Sequence, residues 1–439
     1  MKKYDSVVIG GGVLGAFVLR SLRRYDISCI LLEASGDIAG GITRANTAIV
    51  YTASDNRPGS LKAEMAKRAN ENFHELCNDL GVRFSRCGSL MVSFGEKGDE
   101  VLRKKLIQGE ENGVRGMKII SGSEAKMLQP LLSENVTTAL YSPMTGTVNP
   151  WELTIAAFEN AVQNGAQAKM NAKVIDIIPT DEGYEVKTEN DVFFAKTVFN
   201  CAGLEADKIH SLVSNDGIRL SIDGADFIVF DKYAPKPDMI IFHETENGKG
   251  ITAVPTVEGN LIVDSPPREA DNSFDTTSEG LDYIIENLNK VLPELDTKRI
   301  IRSFGALRPN PHKPDGRSIH SFCIENPSPG FYSLIGIKTP GLTCADEIGK
   351  YLAGFAVEYL SAKINEDFDP VRKTGDHIGG EIICLCENIT KGEIISAIKR
   401  GAKDIHGIKR RTGALMGKCQ GSRCSIKIKK ILEEYNETL

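Results

Sequence analysis

The chain has 439 residues, 41% hydrophobic and 26% charged, with a formal net charge of −6, which is too long for one compact core and suggests two or three domains of ordinary globular composition. That mild acidity gives no reason to expect nucleic acid or anionic membrane surfaces as general partners. It also hides an asymmetry, because from Cys384 onward 12 Lys and Arg stand against 6 Asp and Glu.

At the N-terminus, YDSVVIG reads as a buried strand, VLGAFVLRSLRRY as a helix and SCILLEA as a second buried strand. The apolar start is broken by three consecutive glycines and by Arg20, Arg23 and Arg24. This speaks against a signal peptide. No run of about 18 apolar residues occurs anywhere, so no membrane segment and a soluble, cytoplasmic protein are expected. Gly10, Gly12 and Gly15 form G-x-G-x-x-G between strand and helix, and Glu33 ends the second strand 18 residues after Gly15. Such glycines let backbone approach a pyrophosphate, the helix N-terminus favours its charge, and the acid accepts ribose hydroxyls. The motif indicates dinucleotide binding and does not choose between FAD and NAD.

Helical patterns follow over 61–80 and 97–112, and GTVNPWELTIAAFENAVQNGA places Pro150 at a helix start and Gly165 at its end. Short apolar strands joined by turn residues then recur (AKVIDIIP, YEVKT, KTVFNCAG, ADFIVFD, MIIFHE, GITAVPT, NLIVD), the pattern of a mainly antiparallel sheet. A last strand, GFYSLIG, passes through KTPGLT into the long helix ADEIGKYLAGFAVEYLSAKI, and a polar stretch leads to a C-terminal module.

From end to end, the segments GGITRANTAIVYTASDNRPGSLKA, CGSLMVSF, TGTVNPWELTIAAFENAV, FNCAGLEADKI, GKGITAVPTVEGNLIVDSP, GALRPNP and GIKTPGLTCADEI resemble the D-amino-acid-oxidase-type flavoproteins. The resemblance is greatest to the branch holding the anaerobic glycerol-3-phosphate dehydrogenase large subunit and 2-hydroxyglutarate oxidase. It implies an α/β (α+β) fold: a discontinuous Rossmann-type FAD-binding domain (1–85, 145–215, 325–365) interleaved with an antiparallel-sheet substrate domain (86–144, 216–324). It further implies FAD contacts at Thr43, Asn46, Val174, Ala202, Gly203, Gly336, Gly341, Leu342 and Thr343. Glycines in KTPGLT would let that loop lie against the isoalloxazine, with the positive end of the following helix aimed at the flavin.

Residues 366–376 read as a linker and 377–439 as a small helical module. Cys384 and Cys386 form C-x-C, and after 32 intervening residues Cys419 and Cys424 form C-x-x-x-x-C. Two thiolate pairs can hold zinc or a 2Fe-2S cluster, and spacing alone leaves both open. CLCENITKGEIISAI and IKRRTGALMGKCQGSRC resemble the bacterioferritin-associated-ferredoxin type of domain, which implies 2Fe-2S. Lys409, Arg410, Arg411, Lys418 and Arg423 would then offset the cluster's negative charge. The other cysteines are scattered among apolar neighbours and read as buried thiols.

GALRPNP puts Arg308 where such flavoproteins present an arginine to the substrate's anionic group. Relatives carry a histidine where this chain has Tyr51, in ANTAIVYTAS. Tyrosine is a poor base for alcohol oxidation unless perturbed. His243 and Lys338 are further candidate pocket residues, and Asp264 stands where relatives tend to have glycine. The expectation is an FAD-dependent dehydrogenase of a small anionic substrate, of the glycerol 3-phosphate or 2-hydroxy acid type. It would pass electrons through a 2Fe-2S cluster to a protein acceptor. The alternatives are an amino- or imino-acid dehydrogenase and an electron-transfer subunit without substrate chemistry.

Overall fold

In the computed structural model, which describes residues 2–245, 248–270, 273–375 and 379–436, the opening forms as its pattern predicts. β1 (Lys2–Ile9) and β2 (Cys29–Leu32) pair in parallel around α1 (Val13–Leu22). All of β2 and the last four residues of β1 are buried, as in a parallel sheet covered on both faces. The sheet runs β10 (Val174–Thr180), β11 (Gly183–Thr188), β12 (Val192–Asn200), β1, β2, β9 (Gln167–Lys169). β20 (Phe331–Ile335) lies parallel to the end of β12, and β19 (Cys323–Ser328) pairs antiparallel with β20. α1 packs against both α5 (Pro150–Gln163) and α8 (Ala345–Leu360), and the three share an apolar core with the sheet.

Local chemistry fixes the helix limits. Asn149 caps α5 by accepting from the Trp151 and Glu152 N–H groups, with Pro150 at the first position. α2 (Leu61–Leu80) starts at a Ser60 cap and stops at Gly81, whose φ of +62° suits glycine. α3 spans Glu96–Glu111 and α4 Gly122–Leu128. A small sheet of β3 (Ile49–Val50), β8 (Gly146–Val148) and β4 (Phe84–Ser85) joins the two halves of the body.

The second sheet is antiparallel except where β14 (Ile240–Thr245) meets β5 (Ser89–Ser93). Its order is β17 (Arg268–Glu269), β13 (Arg219–Phe230), β16 (Leu261–Asp264), β15 (Gly248–Pro255), β14, β5, β7 (Thr138–Ser142), β6 (Lys118–Ser121), and β18 (Ile300–His312) runs along the whole of β13. The two faces differ. Ile228, Phe230, Ile241, Ile251 and Val263 pack on α7 (Ser278–Val291), while their strand neighbours Phe227, Phe242, Thr252 and Asp264 belong to the opposite face. α6 (Ala206–His210) follows β12.

The stretch expected to be a linker is a strap. Along α5, the Asn160 and Gln163 side-chain amides donate to the carbonyls of Asp369 and Val371, both at 3.0 Å. Arg372 reaches the Leu80 carbonyl (3.0 Å) and Glu159 (2.8 Å). The expected linker boundary at 376/377 lies outside the described residues, as do 437–439. Beyond it, β21 (Ile382–Cys384), β22 (Ile389–Thr390), α9 (Lys391–Lys399), α10 (Ile405–Thr412) and α11 (Ser425–Asn436) enclose their own core of Ile383, Ile394, Ile398, Ile408 and Ile428.

Candidate active site and redox centre

A cleft of about 810 Å³ opens where β1, β2 and β12 end, the place where open α/β sheets bind ligands. Its nucleotide end is made of backbone. Gly10 has φ +101°, and a Cβ there would sit 2.5 Å from the Cys201 carbonyl oxygen. A Cβ on Gly15 would fall 1.9 Å from the Gly10 carbonyl oxygen. Gly15 therefore shapes the turn from behind without lining the cleft. Glu33 closes the turn by accepting the Gly11 N–H at 2.6 Å, and its second oxygen takes the Ser35 N–H and hydroxyl. The carboxylate keeps acceptor capacity for a ribose.

Most of the other expected contacts come together here. Gly10, Gly12, Glu33, Thr43, Asn46, Val174, Ala202, Gly203, Gly341, Leu342 and Thr343 all line the cleft. Thr43 Oγ1 takes the Val13 N–H at 3.1 Å, and Thr343 Oγ1 takes the Tyr51 N–H at 3.0 Å, which ties the glycine turn and the segment before α8 to the wall between them. Gly336 does not line the cleft. At φ +65° its missing Cβ makes room for Pro311, so its need for glycine comes from packing.

At the reacting end, Tyr51, Arg308 and Lys338 line the cleft. The Tyr51 ring lies 6.3 Å from that of Phe242. Burial pushes its phenol up to about 12, against a hydrogen bond from Thr47 that lowers it. Tyr51 is thus a neutral hydrogen-bonding group at neutral pH. Burial also lowers Lys338, opposed by Asp223, and its ammonium contacts Asn310 Oδ1. His243 is not brought in. Strand alternation turns Phe242 toward Tyr51 and His243 to the other face, edge-on to Phe94 with ring centroids 5.3 Å apart. There burial and Lys290 of α7 lower its pKa.

Sequence reasoning missed Lys249. It faces Asp264, which has no exposed surface and contacts the Lys249 ammonium through Oδ2. The same oxygen lies 3.7 Å from Arg308. A register shift between β14 and β15 pairs Phe242 with Thr252 but Glu244 with Lys249, which brings Lys249 onto the face of Thr252. The glycines on either side of Lys249 were the available sign of that irregularity.

In the C-terminal module the four expected cysteines form two pairs: the Cys386 and Cys419 thiols are hydrogen-bonded, and so are those of Cys384 and Cys424. Among the described residues no group of three or more His, Cys, Asp or Glu forms a single metal cage. Two thiolate pairs match the donor set of a binuclear cluster, in which each iron takes two thiolates. The remaining cysteines are inert thiols, with Cys29 and Cys77 pushed up to about 12 by burial.

The basic run acts differently from its expected role. Arg411 grips Asp37 with two bonds (2.7 and 2.9 Å) and Arg410 adds a third (2.8 Å). Burial alone would raise the Asp37 carboxyl, but the two guanidinium groups hold it below the usual carboxylate range. Glu159 of α5 binds Arg400 at 2.9 Å, and Lys232 donates to the Cys386 carbonyl at 2.8 Å. The module is therefore docked at three points on the rest of the chain. Lys418 and Arg423 remain exposed.

A glycine turn with no room for side chains beside a cleft of about 810 Å³, and paired cysteines in a separate core, suit a dinucleotide-binding protein with an appended metal centre. The family model "FAD dependent oxidoreductase" matches residues 5–354 and "BFD-like 2Fe-2S binding domain" matches 382–434, so the chain belongs to the FAD-dependent oxidoreductases and carries a C-terminal 2Fe-2S domain. It is 36% identical to a glycerol 3-phosphate dehydrogenase of Caloramator mitchellensis, over 98% of this chain and 94% of that one. With the anaerobic glycerol-3-phosphate dehydrogenase subunit A1 of Haloferax volcanii it shares 25% identity over 100% of this chain and 84% of the relative. Among solved structures, FAD-bound L-alpha-glycerophosphate oxidase of Mycoplasma pneumoniae superposes with a TM-score of 0.77 at 23% identity, covering 84% of this chain and 98% of that one.

Proposed function

We infer that the protein dehydrogenates a small anionic hydroxy compound, of the glycerol 3-phosphate or 2-hydroxy acid type, and passes the electrons to a protein acceptor. The observation that carries this reading is Arg308 at the wall of the cleft, opposite the nucleotide end, where a guanidinium can neutralise and orient an anion. The residues expected from sequence have these proposed roles: the glycine turn, Glu33 and the other lining residues hold FAD, Cys384, Cys386, Cys419 and Cys424 hold the cluster, and Arg308, Tyr51 and Lys338 meet the substrate. The proposed domains keep the limits given by the resemblance. When bound, FAD supplies a two-electron hydride acceptor and the cluster a one-electron carrier. Tyr51 would donate a hydrogen bond to the substrate's oxygen, and Lys338 would add positive charge. Among the described residues no helix is long and apolar enough to cross a membrane, which is compatible with a cytoplasmic site of action.

Tyr51 favours a second reading. A phenol near 12 cannot take a hydroxyl proton at neutral pH, whereas an amine substrate can bind already deprotonated. Anaerobic mixing with glycerol 3-phosphate, 2-hydroxy acids and amino acids separates the readings. Flavin bleaching by one of the first two establishes the alcohol reading, bleaching by amino acids alone establishes the amine reading, and no bleaching by any of them leaves the electron-transfer subunit. For the exit path, a Cys384→Ser, Cys419→Ser double variant should bleach normally yet fail to reduce the protein acceptor.

A further inference from the structure

Asp264 ends β16 on the sheet face shared with Phe227 and Thr252. It has no exposed surface, and a carboxylate there persists only if compensated. Its Oδ1 accepts the Thr252 N–H at 2.9 Å, while Oδ2 takes the Lys249 ammonium and lies 3.7 Å from the Arg308 guanidinium. Because both cations meet one oxygen, their charged heads converge, and Arg308 faces the cleft.

The other charges facing this group largely offset one another. Glu244 faces Lys249, Asp223 faces Lys338, and Lys62 lies near Lys338. Tyr51, also within range of Asp264 and Arg308, stays neutral. Burial lowers the Lys249 pKa and Asp264 opposes that shift; with all three ionised, the groups joined at Oδ2 carry a net charge of +1 rather than the +2 that Lys249 and Arg308 would carry alone.

We propose that Asp264 tempers the charge preference of this site, weakening its hold on a phosphate dianion more than on a monoanionic head such as a carboxylate or a singly ionised phosphate. This rests on the reading of Arg308 as the substrate's anion anchor. Asp264 is a specificity-determining residue that acts through Lys249 and Arg308, and no contact between it and the substrate is required. The consequence is quantitative, because the Coulomb energy between a fixed site charge and a dianion is twice that with a monoanion. Any change in the site's charge must move phosphate affinity by twice as many log units as acetate affinity.

The test uses FAD-loaded full-length protein titrated at pH 8 with inorganic phosphate and, separately, acetate. Binding is read from the flavin absorbance and from the shift in melting temperature. Asp264→Asn keeps the shape and the acceptor for Thr252 but removes the charge. It should raise the phosphate-to-acetate affinity ratio by about tenfold or more. Lys249→Met makes the opposite change and should lower the ratio, so the inference does not depend on one variant folding. An unchanged ratio in both variants, with anions still binding, overturns the role of Asp264 and leaves the anion anchor intact. If neither anion perturbs the flavin or the melting temperature in any of the three proteins, the anionic-substrate reading falls, and this inference with it.

Discussion

The two ends of the cleft are built by different means. The nucleotide end is made of backbone amides and missing side chains within one β-α-β unit, where Gly15 packs on Gly10 and Glu33 accepts from Gly11. The reacting end is made of charged and aromatic side chains: Lys249, Asp264 and Arg308 meet through sheet register, and Tyr51 and Lys338 come from the loops after β3 and β20. The first is a conformational requirement that any dinucleotide imposes. The second is an arrangement of charge that can change with the substrate while the frame stays.

The largest effect that would test this division is at Gly15. Gly15→Val forces a side chain onto the Gly10 carbonyl, a clash worth about 3 kcal/mol or more. The protein should lose its flavin entirely, as read by the FAD released per chain. A flavin-replete Gly15→Val protein would mean that the turn is not the tight element described. Arg308→Ala should act at the other end only, weakening an anionic substrate by about 2–5 kcal/mol in kcat/KM with full FAD content. If flavin were lost as well, the two ends could not be treated as separate.

Arg411→Ala opens the docked module by leaving a buried carboxylate short of one partner, at a cost of about 3 kcal/mol. Denaturant unfolding should show the loss, and substrate bleaching of the flavin should be unaffected. The same contact has a pH signature. The Asp37 carboxyl titrates below its usual value of 3.8 when docked, so its contribution is complete above that value and disappears as pH falls through the lower, docked one. Tyr51→Phe is expected to be the smallest change, about 1 kcal/mol for one hydrogen bond. No ionisation of Tyr51 should shape the pH–rate profile below about pH 10. A much larger loss, with a matching alkaline inflection, would make the phenol a base after all.

What could be read in advance follows the same divide. The limits of α2 and α5 are local, set by Ser60, Gly81, Asn149 and Pro150. The glycine turn is contiguous, and the cysteine pairs lie within short motifs. His243 looked like a pocket residue because a strand's face cannot be told from composition, and one step of alternation places it on the α7 side. Lys249 escaped notice because a register irregularity, not a motif, decides its direction. Arg410 and Arg411 read as charge balance for the cluster since their partner, Asp37, lies more than 370 residues away.

The strap over 367–373 changes how the iron-sulfur module must be thought of. A freely jointed tether would let it wander, and each electron would wait on a search. Here the chain is already held along α5 by Asn160, Gln163 and Glu159, so a module that releases Asp37 is returned to the same face at an effective concentration of about millimolar or above. Docking is then a first-order process independent of protein concentration. Internal electron transfer should depend only weakly on salt, and any steep ionic-strength dependence measured in turnover belongs to the encounter with the external acceptor.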